Sequence, residues 1–201
     1  MKRSKIILGI LILSVMALVL SGCGEENLLT LPPLEENGTY ALRDIGPAGG
    51  YIFYDKGSYS DGWRYLEAAP SDQSTGIQWY NGDYETTGAT GTAIGTGQAN
   101  TTAIVAAQGA GNYAAQLCND LTLGGYSDWF LPSKDELNLM YRNLQLFHVG
   151  GFADDYYWSS SEGLEYWWSA WDQNFYYGYQ DYYLVGYFKY YTFRVRAVRA
   201  F

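Results

Sequence analysis

The chain has little of the chemistry that nucleic-acid-binding proteins and phosphate-binding enzymes use. It contains 12 basic residues against 21 acidic ones, for a formal net charge of −9. Beyond the start of the chain Lys and Arg form no run, and binding to phosphates requires clustered positive charge. Nucleic acid is therefore excluded as a partner. Residues 81–100 are rich in Gly and Thr, but no Gly-Lys-Ser/Thr follows, so they are predicted to form a loop without a phosphate site.

Nucleophilic and metal chemistry is also poorly represented, since the sequence has two cysteines and one histidine. Cys118 lies in a helical pattern whose apolar residues share one face, which is typical of a buried core thiol. Nothing in the sequence requires His148 to approach it. Asp154 and Asp155 are adjacent acids, a pattern more typical of a solvated turn than of a cation site. We therefore predict no catalytic residue, no metal ion and no cofactor.

The N-terminus has the pattern of a secretory signal. A basic start is followed by an apolar run, residues 6–20, that is too short to span a membrane comfortably. The run ends in Leu20-Ser21-Gly22-Cys23, which resembles the bacterial lipobox, where the cysteine is lipidated and becomes the mature N-terminus. We predict a lipoprotein signal peptide over residues 1–22 and lipidation of Cys23. The alternative is an uncleaved N-terminal anchor helix.

The mature chain is predicted to be a globular domain on a tether. Residues 23–44 contain Pro32-Pro33 with acidic and Gly residues, which favours an extended spacer behind the lipidated N-terminus. Residues 45–201 are enough for one domain with its own core. Loss of the signal peptide leaves 9 of the 12 basic residues and a net charge near −12. We expect the domain on the bacterial cell envelope, at the outer membrane surface, held to the membrane through its N-terminal lipid.

Short β-rich runs and helical patterns alternate along the domain. The β-rich runs, bounded by Gly or Pro, lie at residues 49–57, 63–70, 77–80, 156–158, 166–176 and 191–201. Helical patterns lie in a first segment of two pieces, residues 101–107 and 112–121, parted by Gly109 and Gly111, and in a second segment that ends near Leu146. Ser133 and Glu136 have the spacing of a capping box at the start of that second segment. Two helices between early and late strands predict an α+β fold with short antiparallel sheets.

Aromatic residues crowd the last part of the chain. From Tyr156 to Phe193, 38 residues include 11 Tyr, 4 Trp and 3 Phe. Each buried Tyr needs a partner for its hydroxyl, so this many rings cannot all lie inside one small domain. Exposed aromatic surface on a monomer usually binds something, and Tyr gives rigid contact area at low entropic cost. The alternative, an aromatic-rich β core, accounts for some of the Trp.

Several ordered motifs resemble one family. The run from Cys118 to Leu137, CNDLTLGGYSDWFLPSKDEL, is similar to the central signature of the DUF1566 family, that of the Legionella collagen-like protein C-terminal domain. Tyr157-Trp158-Ser159-Ser160-Ser161-Glu162, Ala170-Trp171 and Arg194-Val195-Arg196-Ala197-Val198-Arg199 continue it over residues 45–201. The resemblance implies a C-type-lectin-like fold, akin to formylglycine-generating enzymes. The chain lacks the cysteine pair of those enzymes and the Glu-Pro-Asn or Gln-Pro-Asp motif of calcium-dependent lectins.

The segment 163–193 further resembles the variable region of proteins diversified by retroelements, including spirochaete surface lipoproteins. Such systems mutate adenines, so an Asn codon of AAC or AAT type can yield Tyr, Asp, Ser, Gly, Phe, Leu, Val or Thr, but not Trp. Residues 176–193 are almost wholly of these kinds: Gln180 and Lys189 stand apart from them, and Thr192 is reachable. The composition is compatible with a diversified binding surface.

Strand alternation suggests which residues face the ligand. If Trp171 and Phe175 belong to the core, with Trp129 and Trp158, then Asp172, Asn174 and Tyr176, on the other face of the strand from Trp171, Gln173 and Phe175, point outward. Gly178 and Gly186 favour turns that present their neighbours. The predicted ligand-facing residues are Asp172, Asn174, Tyr176, Tyr177, Tyr179, Asp181, Tyr182, Tyr183, Tyr187, Tyr190 and Tyr191.

The sequence is compatible with three functions. The first is a non-enzymatic ligand-binding lipoprotein, whose ligand is an unknown protein or glycan at the cell exterior. The second is a polysaccharide-binding adhesin, since exposed aromatic rings stack on sugars, and a negative net charge favours a neutral glycan. The third, a hydrolase or redox enzyme related to formylglycine-generating enzymes, has no catalytic constellation to support it.

Overall fold

Two β-sheets and three α-helices make up the described part of the chain, residues 38–181 and 188–201 of a computed structural model. These residues belong to one compact unit. The predicted signal peptide, Cys23 and the tether up to residue 37 lie outside the described residues, as do Tyr182, Tyr183 and Tyr187. Within the described residues, no helix has the length and apolar character needed to cross a membrane.

The elements follow the order of β-rich, then helical, then β-rich patterns in the sequence. The strands are β1 (Tyr51–Ser60), β2 (Trp63–Ala68), β3 (Ser74–Gln78), β4 (Tyr156–Glu162), β5 (Ala170–Asn174), β6 (Gln180–Asp181), β7 (Thr192–Val195) and β8 (Val198–Ala200). The helices are α1 (Gly97–Gln108), α2 (Ala114–Asn119) and α3 (Lys134–Asn143), and a short 3-10 helix, Gln145–Phe147, follows α3. The α+β class is confirmed.

The structure has three α-helices where two were predicted, because the two pieces predicted at residues 101–107 and 112–121 are separate helices, α1 and α2. The predicted break is confirmed: α1 ends at Gly109, whose φ of 68° no helix can continue. β6 was not predicted either, since it is two residues long and is defined only by its pairing with β5. The C-type-lectin-like topology stays a prediction from the family resemblance.

The strands form two sheets of different character. One sheet has the order β1-β2-β8 and is antiparallel throughout. The other has the order β3-β7-β4-β5-β6 and is antiparallel except where β4 and β7 run parallel, with Tyr157 opposite Arg194. β5 is therefore an internal strand, flanked by β4 on one side and by β6 on the other. Its faces are covered by other parts of the chain, among them α3, which contacts both β4 and β5.

The start of α3 follows from local sequence. The Ser133 hydroxyl accepts a hydrogen bond from the Glu136 N–H, and the Glu136 carboxylate accepts one from the Ser133 N–H at 2.7 Å. This confirms the predicted capping box. Leu137 and Met140 then face the core together with Leu144. α3 is thereby fixed against the five-stranded sheet beside β4 and β5.

Two groups of buried side chains form the core. One contains Trp79, Trp129 and Trp158, packed with residues of α1 and α2 that include Cys118. The other lies between α3 and the sheets and includes Phe175. Three of the four predicted scaffold aromatics, Trp129, Trp158 and Phe175, are thus fully buried. The fourth, Trp171, is half-buried, with the Lys134 ammonium 4.8 Å from the centroid of its ring.

Candidate ligand-binding surface

Three exposed tyrosines follow directly after β5 in the chain. Asn174, the last residue of β5, accepts hydrogen bonds from the N–H groups of Tyr176 and Tyr177 at 2.9 and 2.8 Å through its side-chain oxygen. Gly178 follows with a φ of +83°, and a Cβ there would lie 2.5 Å from the Tyr141 ring. Glycine is required at this position for both reasons. The turn is thus built from Asn174 and Gly178, and its tyrosines extend outward from a fixed backbone.

The exposed tyrosines belong to one unbroken series of rings. We call Tyr156, Tyr176, Tyr177, Tyr179, Tyr190 and Tyr191 the tyrosine surface. Along it the ring centroids are spaced 4.5 Å (Tyr176–Tyr177), 6.0 Å (Tyr177–Tyr179), 6.4 Å (Tyr179–Tyr156), 5.1 Å (Tyr156–Phe193), 6.1 Å (Phe193–Tyr191) and 4.8 Å (Tyr191–Tyr190). Each ring therefore supports the next, and the surface continues from the turn after β5 to the residues before β7.

Five of the predicted ligand-facing residues are exposed, from Tyr177 at 71% to Tyr191 at 37%; the others are Tyr176, Tyr179 and Tyr190. Asp181, in β6, is half-buried. Exposure makes these side chains available to a ligand, and their role in binding stays a prediction.

The prediction that Asp172 and Asn174 face solvent is wrong. Asp172 is 0% exposed and Asn174 5% exposed, while Gln173 and Phe175 on the opposite face of β5 are also buried. Alternation separates core from surface only in a strand with one covered face. Both faces of β5 are covered, since Asp172 and Asn174 on one face and Gln173 on the other are all buried, so its period of two carries no information about exposure. Tyr176 is exposed because it lies beyond the end of the strand.

Gln180 and Lys189, which interrupt the tyrosine-rich composition of residues 176–193, attach this segment to the rest of the domain. The side-chain amide of Gln180 donates to the Lys134 carbonyl at 2.7 Å. The Lys189 ammonium is fully buried, where it pairs with the Glu162 carboxylate and donates to the Glu85 carbonyl at 2.9 Å. Burial lowers the pKa of Lys189, and the hydrogen bond and negative charge of Glu162 oppose that shift. Both side chains are buried or half-buried and bonded to parts of the chain far away in sequence.

Asp172 has an unusual environment. Neither of its carboxylate oxygens has a hydrogen-bond partner within the described ranges. Its cross-strand neighbour in the register of β5 and β6 is Asp181, a second acid. Burial, reinforced by the negative charge of Asp181, raises the pKa of Asp172 well above its usual range. Since the folded-state pKa is raised, the contribution of this carboxyl to stability is present at low pH and is lost as the pH rises through its folded-state pKa.

Tyr179 lies next to the same pair of acids. Its hydroxyl is 2.7 Å from that of Tyr156. This hydrogen bond, followed by burial and by the negative charges of Tyr156, Asp172 and Asp181, raises the pKa of Tyr179 to about 12. The tyrosine surface is therefore acidic at its centre, where two carboxyl groups and two hydrogen-bonded phenols meet.

The sequence pattern did not indicate Tyr156 as a surface residue, nor a second group of rings beside Tyr190. Tyr156 reads as the start of a strand. The second group contains Tyr80 and Tyr84, 4.9 Å apart, and Trp167, whose ring meets the Tyr84 ring edge-on at 5.6 Å. Tyr84 and Trp167 are exposed. No spacing in the sequence connects residues 80–84 with residue 167, so only the tertiary structure could bring them together.

In the described part of the chain, Cys118 and the adjacent acids Asp154 and Asp155 have structural surroundings. The Cys118 thiol is fully buried in the core, and burial raises its pKa, so the expected structural role of this cysteine is confirmed. Asp155 accepts a hydrogen bond from the Arg194 guanidinium at 3.0 Å, and Asp154 accepts one from Gln145. Among residues 38–181 and 188–201, no three His, Cys, Asp or Glu side chains gather as metal ligands would.

Comparison with known protein families gave one match. The sequence model of the Lcl C-terminal domain matches residues 69–199, which is about two thirds of the chain and contains β3 to β7 with all three helices. No curated protein matched the sequence. The matched range includes every exposed residue of the tyrosine surface.

Proposed function

This chain belongs to the Lcl C-terminal domain family, and from that premise we propose that it is a lipid-anchored protein of the bacterial cell surface that binds a ligand through its tyrosine surface. Membership of the family indicates a surface or ligand-binding domain. The observation that carries the proposal is the series of rings from Tyr176 to Tyr190, in which five exposed tyrosines are linked through the half-buried Tyr156 and the buried Phe193. Clustered, exposed aromatic side chains of this kind are typical of binding sites on protein surfaces.

The tyrosine surface has the properties of a preorganised binding site. Its rings stack on one another, and the phenols of Tyr156 and Tyr179 are hydrogen-bonded, so little side-chain entropy remains to be lost on binding. The scaffold beneath it is rigid, because Asn174, Gly178 and Gln180 hold the turn after β5. Rigid Tyr contacts on a fixed backbone are how antibody paratopes obtain affinity.

The exposed tyrosines differ in kind from Gln180 and Lys189, which bond to the scaffold, and this difference supports diversification by a retroelement. Gln180 and Lys189 cannot arise from an Asn codon by changes at adenines alone, and both bond to the scaffold. The exposed positions between residues 176 and 191 are occupied by residues that can arise in this way. Genome sequencing tests the idea: it requires a near-copy of the last ~40 codons beside a reverse transcriptase, differing from this gene at adenines. A neighbourhood with neither would remove diversification and leave ligand binding in place.

A neutral polysaccharide is the second candidate ligand. Trp167 and Tyr84 form an exposed edge-to-face pair beside Tyr190, and such rings stack on the apolar faces of sugars. The negative net charge disfavours sulfated glycans. A glycan array, run beside a pull-down of protein partners, separates the two candidates. Binding to neutral glycans that is lost in Trp167→Ala and kept in Tyr177→Ala would favour the adhesin.

Replacing single exposed tyrosines of the tyrosine surface is expected to weaken binding without unfolding the domain. Binding energy concentrates in a few aromatic anchors, so two or three of Tyr176, Tyr177, Tyr179 and Tyr191 should each cost at least ~2 kcal/mol of affinity on change to Ala. The free energy of unfolding should change by no more than ~0.5 kcal/mol at the most exposed of them. Affinity for the identified ligand and urea unfolding are measured on the same variants.

Tyr59 supplies the matched control for this scan. It is as exposed as Tyr177, at 71%, but it lies on β1 in the other sheet. Tyr59→Ala should leave both affinity and stability unchanged. If most variants of the tyrosine surface unfold, these side chains are part of the core, and the proposal fails.

Replacing Cys23 by Ala is expected to release the protein from the membrane. Without the thiol no lipid can be attached, and a single short apolar run does not hold a protein stably. The measurement is metabolic labelling with a fatty acid together with fractionation of membranes. The matched control is Cys118→Ala, whose buried thiol takes no part in attachment. If Cys23→Ala remains in the membrane fraction, the N-terminus is an uncleaved anchor helix and the lipoprotein interpretation is wrong.

A further inference from the structure

We propose that the tyrosine surface recognises a positively charged organic group, an ammonium or guanidinium, beside the ring of Tyr179, where the negative charge of the facing acids Asp172 and Asp181 attracts it. The inference rests on the proposed ligand-binding function and specifies the chemistry of the ligand. It assigns a role to the buried acid that the fold does not explain.

The two acids are brought together by strand pairing. Asp172 on β5 lies directly opposite Asp181 on β6 in the antiparallel register, so both side chains are on the same face of the sheet. Like charges in this position destabilise a sheet. A protein that keeps them together normally supplies a cation, and the described part of this chain supplies none to Asp172.

The nearby lysines are committed elsewhere. Lys134 lies over the ring of Trp171, which neighbours Asp172 on β5 but points to the opposite face, and it pairs with Asp135. Lys189 is paired with Glu162. The Asp172 carboxylate is 0% exposed, and neither of its oxygens has a partner in the described residues. A buried charge in this state is costly, and an opposite charge arriving with a ligand removes that cost.

The surroundings suit an organic cation. Tyr179 is exposed and precedes Asp181 by two residues on the extended chain that pairs with β5, so its side chain lies on the same face of the sheet as both acids. Its hydroxyl is 2.7 Å from that of Tyr156. Tyr faces attract ammonium and guanidinium groups, more strongly where water is excluded. The two acids and the Tyr179 ring therefore provide both halves of a cation site, a negative charge and a π surface.

The same surroundings do not suit a metal ion. Ca²⁺ takes six to eight oxygen ligands, and no group of three acidic, His or Cys side chains occurs in the described ranges. Phenol hydroxyls that bond to each other, as those of Tyr156 and Tyr179 do, are poor metal ligands. An arginine or lysine side chain of a protein partner carries the right charge with the right dimensions.

The test uses the full-length lipoprotein in a neutral detergent and measures binding by calorimetry. The probes are N-acetyl-arginine methylamide, N-acetyl-lysine methylamide and the neutral N-acetyl-citrulline methylamide. At least one cationic probe should bind about tenfold more tightly than citrulline. In Asp172→Asn that preference should disappear, while the melting temperature rises, because the buried charge is gone and the fold is intact. The control Asp61→Asn changes an exposed acid on the β1–β2 turn and should alter neither.

Each other outcome overturns the inference. Equal binding of citrulline and the cationic probes would show that charge is not recognised. Unchanged preference in Asp172→Asn would place the cation elsewhere. Binding of Ca²⁺ that depends on Asp172 and displaces the arginine probe would assign the carboxylates to a metal. The proposed function has its own readout: it survives any of these results if Tyr177→Ala still loses the identified ligand, and it fails if the tyrosine variants keep that ligand.

Discussion

Replacing Lys189 by Met is expected to lower the free energy of unfolding by about 3–5 kcal/mol, because it leaves the Glu162 carboxylate charged and buried without its partner. Both side chains of the pair are almost completely inaccessible, at 0% and 1% exposed. The Lys189 ammonium also lies 4.6 Å from the centroid of the Trp79 ring and donates to the Glu85 carbonyl. Urea unfolding followed by circular dichroism measures the loss.

Two further variants show whether the loss comes from the buried charge. Lys134→Met removes a lysine whose partner Asp135 is exposed, and it should cost less than ~1 kcal/mol. Adding Glu162→Gln to Lys189→Met should restore part of the stability, since the orphaned charge is removed while the amide oxygen still accepts from the Thr87 N–H. A cost for Lys189→Met no larger than that of Lys134→Met would mean that the pair contributes nothing to the fold.

Replacing Trp158 by Ala is expected to destabilise the domain by about 3–5 kcal/mol, the usual cost of removing a large aromatic side chain from a packed core. Trp158 is fully buried on β4, its ring centroid is 4.4 Å from that of Phe193, and its indole N–H donates to the Ile77 carbonyl at 2.9 Å. The variant loses the packing and leaves that carbonyl without its partner. Thermal and urea unfolding of the purified protein measure the effect.

Trp167 is the matched control for this change. It is 48% exposed, so truncation to Ala should alter the unfolding free energy far less than truncation of Trp158. Trp158→Phe, which keeps a ring but not the N–H, should fall between Trp158→Ala and the unchanged protein. Equal stability of Trp158→Ala and Trp167→Ala would show that the assignment of core and surface aromatics is reversed.

The domain separates buried scaffold residues from exposed tyrosines. Trp158 and Lys189 lie beneath or at the ends of the tyrosine surface, and both are bonded to distant parts of the chain. The exposed tyrosines, by contrast, contact mainly one another. A domain built in this way tolerates substitution at the surface while its scaffold stays unchanged. That is the physical requirement for any protein that varies its binding residues within one fold.

Some features of the fold were predictable because their causes are local. The capping box of α3 depends on residues three positions apart, and the strands β1 and β2 are bounded by Gly or Pro that stop them. Burial of Cys118 followed from the apolar face of its helix. The exposure of Tyr177 and Tyr179 followed from a glycine turn next to too many rings for one core. Tyr176 was predicted to be exposed from alternation along β5, and it is exposed because it lies beyond the end of that strand.

The errors share one cause. Asp172 and Asn174 were predicted to face solvent because alternation along β5 was interpreted with one covered face, and the strand is covered on both. The side chains that cover its faces come from other elements, α3 among them, which the period of β5 does not encode. Tyr80, Tyr84 and Trp167 were not predicted as neighbours, because their contact joins segments about 80 residues apart.

The sequence by itself determined the α+β class, the helix start at Ser133, the buried thiol and the excess of aromatic residues that must reach solvent. Each depends on composition or on hydrogen bonds between near neighbours. Only the tertiary structure decided that Lys189 pairs with Glu162, that Tyr156 completes the series of rings, and that Asp172 is buried opposite Asp181. These contacts depend on which strands lie side by side, and strand order is a property of the whole chain in three dimensions.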